Sequence, residues 1–126
     1  MTEEILLRII ALAQEATGLA TIRRGSLPSG DGLCMEIASG APEATFLDRR
    51  CVVSLSLVCN GRHGDLAVLT GALDSIHRRL THLADYPQAD AWQVLSIRTT
   101  AAPHVIDRES GRWLMASALE VSAYID

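Results

Sequence analysis

Residues 51–83, CVVSLSLVCNGRHGDLAVLTGALDSIHRRLTHL, change hydrophobic period part-way along. Up to Cys59 the pattern alternates, with Val53, Leu55 and Leu57 on one side and Ser54 and Ser56 on the other. A period of two marks a strand with one buried face. After the polar turn NGRHG the spacing becomes three and four, through Leu66, Leu69, Leu73, Ile76, Leu80 and Leu83. This predicts an α-helix over 65–83. Asp65 or Asn60 can cap its start. Arg78, Arg79 and His82 stand near its end, where the helix dipole favours cations. Gly71 inside the helix costs roughly 1 kcal/mol against alanine. It is either a tolerated glycine or the mark of a close contact with a neighbour.

The same reasoning extends in both directions. EEILLRIIALAQEAT, residues 3–17, is an amphipathic helix that Thr2 can cap, with Glu3 and Glu4 at the positive end of the dipole and Gly18 as a stop. Its apolar stripe is wide, so it should lie on a sheet. LATIRRGSL, 19–27, reads as a short strand ending at Pro28, PSGDG as a turn, and LCMEIA, 33–38, as a second strand. SGAPEATFLD, 39–48, reads as a mobile loop, because Gly40 and Pro42 interrupt pairing. ADYPQAD, 84–90, closes the second helix. Residues 91–106 are extended, with Pro103 at an edge or bulge. After DRESG the chain returns as RWLMASALEVSAYI, with Trp113, Met115, Leu119, Val121 and Ile125 on one face. The order is helix, three strands, helix, two strands. Nothing in the pattern suggests a repeat or a linker, so one domain is expected over 1–126.

Composition narrows the chemistry. All basic residues are Arg and Lys is absent. That excludes a Walker A phosphate loop and a Schiff-base lysine. The net charge is −4, which disfavours general nucleic-acid binding. TEEILLRII carries acids where a secretory leader has a basic segment, so no leader is expected. No apolar run is long enough for a membrane-spanning helix, and no membrane partner is expected. Cys34, Cys51 and Cys59 are expected to be reduced and buried.

No catalytic or metal site emerges. Cys51, Cys59 and His63 match no common zinc spacing. Cys51 and Cys59 lie at opposite ends of one strand, about 26 Å apart at ~3.3 Å per residue, so they cannot share a metal or a disulfide within one subunit. GSLPSG around Ser26 and Ser29 does not fit a nucleophile elbow. The His63–Gly64–Asp65 run is explained by a turn followed by an N-cap. His77 and His82 read as members of a solvated helix face beside Arg78 and Arg79. Asp107 and Glu109 flank the final turn, where such residues add solubility. No enzyme activity, cofactor or metal is expected; the chain reads as a protein that acts through its shape.

The helix, the strand–turn–helix CVVSLSLVCNGRHGDLAVLTGALDSIHRRL and the closing hairpin PHVIDRESGRWLMASALEVSAY together resemble the tail-terminator, or minor capsid, proteins of long-tailed bacteriophages. The hairpin positions that carry the resemblance are Pro103, Ile106, Asp107, Gly111, Arg112, Trp113, Val121 and Tyr124. The resemblance implies an α/β (α+β) two-layer sandwich, with two helices packed on a mostly antiparallel four- to five-stranded sheet. It also implies a structural virion protein that is not an enzyme, assembled in the host cytoplasm. As a homo-hexameric ring at the head–tail interface, it would cap the tail tube protein, offer a docking surface to the connector or head-closure protein, and let DNA pass through its lumen.

A ring of this kind buries different patches of each subunit. The candidate subunit or partner interface is Leu114, Ala116, Ala118 and Tyr124 on the even face of the last strand, with Arg78, Arg79 and His82 on the second helix. The even face could equally lie under the helix layer, or be a semi-polar face left open. Three other readings remain. One is a head-closure or other head–tail completion protein. Another is a small ligand-binding α+β domain. The third is a nucleic-acid binder using Arg23, Arg24, Arg49, Arg50, Arg78 and Arg79.

Overall fold

The computed structural model describes residues 2–18, 22–27, 29–45 and 51–126, with the backbone alone for 41–45. In chain order the elements are α1 (Thr2–Thr17), β1 (Arg23–Arg24), β2 (Gly32–Thr45), β3 (Cys51–His63), α2 (Leu66–Thr81), β4 (Gln88–Ala89), β5 (Trp92–Glu109) and β6 (Arg112–Ile125). The strands form one six-stranded sheet in the order β1-β2-β3-β6-β5-β4. β1 runs parallel to β2, and every other pairing is antiparallel.

This corrects the expected sandwich on a four- to five-stranded sheet. The sheet has six strands, is mixed, and curls into a half-barrel. The strand beyond the expected five is β4, Gln88–Ala89, and both β4 and β1 are exposed two-residue edge pieces. Pieces that short show no alternation. The curl accompanies register shifts in both long outer strands. β2 has them at Ile37/Ser39 and Pro42/Ala44, and β5 has four between Val94 and Asp107. Each extra residue bends its strand and increases the local twist.

Several boundaries move for the same reasons. The expected loop 39–48 is β2 as far as Thr45; residues 46–48 lie outside the described ones. Gly40 and Pro42 are accommodated because β2 lies next to the sheet edge, where a missing donor breaks little of the ladder. The strand expected at 19–27 shrinks to Arg23–Arg24, with 19–21 and Pro28 outside the described residues. The NGRHG turn is strand up to His63. DRESG narrows to Ser110 and Gly111, whose φ values of 51° and 75° give the left-handed two-residue turn that suits the twist of a hairpin.

Both helices pack on one face of the sheet. Odd-numbered residues of β6 from Met115 to Ala123 are buried there, with Leu55, Leu57 and Cys59 of β3 beside them. α1 contributes Ile5, Leu6, Ile9, Ile10 and Ala13, and α2 contributes Leu69, Leu73, Ile76 and Leu80. Each of these larger side chains stabilises the fold by about 1.5–3 kcal/mol relative to exposure. Asp65 caps α2 as expected, accepting from the Ala67 N–H at 2.9 Å. The Trp92 indole N–H donates to Glu4 at 3.0 Å, which fixes the start of α1 over the start of β5. A Cβ on Gly71 would meet open space, so nothing among the described residues requires glycine there.

Candidate functional site

The even-numbered residues of β6 face away from the helices. Leu114, Ala116, Ala118, Glu120, Ser122 and Tyr124 are all half-buried. Cross-strand register extends this face sideways: Ala118 lies opposite Val58 on β3 and Ala101 on β5, and Ser122 lies opposite Ser54 and Ser96. The centre of the face is therefore built of small side chains. Arg98 on β5 forms its ion pair there, donating to Glu120 at 2.8 Å. A surface of Ala and Ser side chains lets another backbone approach closely.

The other candidate residues lie elsewhere. Arg78, Arg79 and His82 are exposed at the C-terminal end of α2, on the helix side of the sheet. Arg79 reaches Glu15 of α1 at 3.7 Å. His82 Nδ1 donates to the Arg78 carbonyl at 2.9 Å. With Ala16 and Ser75 these three line a shallow recess. The structure thus separates the seven residues into two surfaces on opposite sides of the sheet.

His77 does not belong to a solvated helix face. It is only 6% exposed, with Nδ1 2.7 Å from Thr99 Oγ1 and Nε2 buried without a hydrogen-bond partner among the described residues. Burial pushes its pKa down, and nearby Asp74 partly opposes that. A helical wheel places His77 one turn after Leu73, on the apolar stripe, which is the signal that could have shown its burial.

A groove of about 380 Å³ opens between the end of α1 and the first half of α2. Leu33, Val68, Leu69 and Ala72 form its apolar lining, and Asp31 and His63 stand in its wall. Asp31 accepts from Arg112 Nε at 2.8 Å and lies 3.8 Å from His63 Nε2. The Asp65 N–H donates to His63 Nδ1 at 2.9 Å, so that nitrogen is the acceptor and Nε2 carries the proton. The Arg112 hydrogen bond holds the Asp31 carboxyl below the usual carboxylate range, with His63 adding to the effect. A carboxylate committed to an arginine is a weak base. The cluster ties the tip of the hairpin to the start of β2. Among the described residues, no group of three or more His, Cys, Asp or Glu is placed to hold a metal ion.

All three cysteines are free thiols. Burial pushes the Cys59 thiol up to about 12 and raises that of Cys34 as well. Neither is poised as a nucleophile.

No known protein family matches the sequence, and no curated protein sequence matches it. Among solved structures, a chain from the virion of a native gene transfer agent particle has the same fold. The TM-score is 0.60 at 11% identity, covering 94% of this chain and 89% of that one. The likeness at that identity is one of fold.

Proposed function

We propose that this chain is a structural protein of a phage-like virion, and that it works as a ring that caps the tail tube and presents a joining surface to the head. The observation that carries this reading is the near full-length fold likeness to a chain of a gene transfer agent virion. The open face fits the role: small side chains on one side of the sheet, with both helices on the other, offer a broad and shallow contact surface. Recognition by such a surface rests on shape complementarity over many weak contacts.

The test is tail assembly in vitro. Purified chain is added to polymerising tail-tube protein and tube lengths are measured by electron microscopy. Tubes that stop growing once the chain is added are the expected result. Lengths unaffected by saturating protein overturn the capping role and favour a head-closure role at the same joint.

A further inference from the structure

The sheet leaves two long edges without a neighbour among the described residues. β4 covers β5 only at Trp92 and Gln93, and β1 covers β2 only at Cys34 and Met35. Beyond those short pieces, β5 continues to Glu109 and β2 to Thr45. Unpaired backbone N–H and C=O groups on an edge invite another strand, and sheets guard against this with charges, prolines, bulges or covering segments.

Charge is missing from the middle of both edges. Residues 99–106 of β5 read TTAAPHVI, and residues 37–42 of β2 read IASGAP, with no Asp, Glu, Lys or Arg in either. The β5 run is exposed or half-exposed throughout, with Val105 at 44% and Ile106 at 52%. Ala38, Ser39 and Gly40 of β2 are exposed as well. The guards that remain are bulges and one proline in each run, Pro103 and Pro42, which interrupt a ladder without closing the edge.

The directions of the strands say what fits. β2, β3, β6 and β5 are antiparallel in turn, so β2 and β5 run in opposite senses at the two ends of an even-numbered set. A second copy related by rotation about an axis along the strands brings its β2 antiparallel to β5 of the first. Repeating the operation continues the alternation without a break. The two uncharged runs start level with each other, since Ile37 pairs with Leu57, Leu57 with Leu119 and Leu119 with Thr99. They extend in opposite directions from there. The slide that brings them side by side is of the kind that strand tilt imposes on any closed sheet.

We infer that the β5 edge of one copy pairs antiparallel with the β2 edge of the next, through residues 99–106 and 37–42, so that the ring is closed by a continuous sheet. This deepens the ring reading above and rests on it. It assigns the edges to contacts between copies and leaves the open face for other virion parts.

The experiment compares amide hydrogen exchange in dilute monomer and in the assembled oligomer, with assembly followed by native mass spectrometry. Peptides covering both runs are expected to exchange at least ~10-fold more slowly on assembly. Ala102→Lys and Ala38→Lys, each at an exposed site, are expected to weaken association at least ~10-fold while circular dichroism stays unchanged. An oligomer whose exchange at either run matches the monomer, or that forms equally well with both lysine variants, overturns the edge pairing and leaves the ring intact. A chain that stays monomeric at every concentration, alone and on tube tips, overturns the ring and the edge pairing together.

Discussion

His77 of α2 and Thr99 of β5 meet across the boundary between helix and sheet, with Nδ1 and Oγ1 2.7 Å apart. The imidazole is buried, and its second nitrogen has no hydrogen-bond partner among the described residues. Protonation would place a charge in this buried setting, which nearby Asp74 only partly offsets. The folded pKa lies below the ordinary value of 6.5, so the unfolded chain binds more protons just below that pH. Stability from this group is therefore fully present above 6.5 and declines as the pH falls toward the folded value. Urea midpoints measured from about pH 7.5 to about pH 5.5 should fall for the wild type, and His77→Gln should flatten that slope.

Two glycines should respond in opposite ways to alanine. Gly71 is exposed in mid-helix with open space where a Cβ would stand. Gly71→Ala should stabilise the chain by about 0.5–1 kcal/mol through helix propensity. Gly61 sits under the helix layer, and a Cβ there would come 2.5 Å from methyl carbons of both Leu33 and Leu69. Gly61→Ala should cost about 1–3 kcal/mol by overpacking. Paired urea titrations read both, and equal shifts of the same sign would contradict the packing described.

Ser117 is the buried hydroxyl on the helix face of β6. The β3–β6 ladder passes from Val58↔Ala118 to Gly61↔Met115, and no pairing joins Cys59 to Ser117 between them. The Ser117 hydroxyl donates to the Cys59 carbonyl at 2.5 Å instead. Ser117→Ala leaves that carbonyl without this donor and should destabilise the fold by about 1–3 kcal/mol. Ser117→Thr, which keeps the hydroxyl, should recover part of the loss. Thermal melts of the two variants check the ordering.

The central unit of the fold is legible in the sequence because each of its elements is long enough to show a period. β3, α2 and β6 follow the alternation of Val53, Leu55 and Leu57, the stripe from Leu66 to Leu80, and the odd face from Met115 to Val121. What escapes has no period to read. β4 and the true extent of β1, expected over 19–27, are exposed two-residue contacts, and the continuation of β2 runs through Gly40 and Pro42, which locally argue for a loop. The bulges that accompany the curl depend on pairing partners far away in sequence. The open face was readable as a set of residues, Leu114, Ala116, Ala118 and Tyr124, but its position relative to the helices was not. Either face of β6 carries enough apolar area to accept a helix. The wider, bulkier odd face takes it, and Arg78, Arg79 and His82 go to that side with α2.

The three thiols should separate cleanly by reactivity. Cys34 and Cys59 are buried and burial raises both thiols, that of Cys59 to about 12, whereas Cys51 is half-exposed at the start of β3. A thiol-specific chromogenic reagent at neutral pH should modify Cys51 first in the native protein, because thiolate and access set the rate. Denaturation should release the other two. Cys51→Ser should abolish the fast phase and leave the slow ones unchanged.

The open face carries the functional prediction. Ala116 and Ala118 lie at its centre, opposite His104 and Ala101 of β5. An arginine at either site can lay its stem along the sheet with its charge in solvent, so Ala118→Arg should change the melting free energy by no more than about 1 kcal/mol. The same side chain prevents another backbone from approaching. If this face meets the tail tube or the head connector, Ala118→Arg should abolish control of tube length in the assembly assay while the fold persists. The double variant Arg78→Ala/Arg79→Ala should leave length control in place, because those residues lie on the opposite side of the sheet. The reverse outcome, with capping lost in the arginine-deleted chain and kept in Ala118→Arg, would move the partner surface to the end of α2.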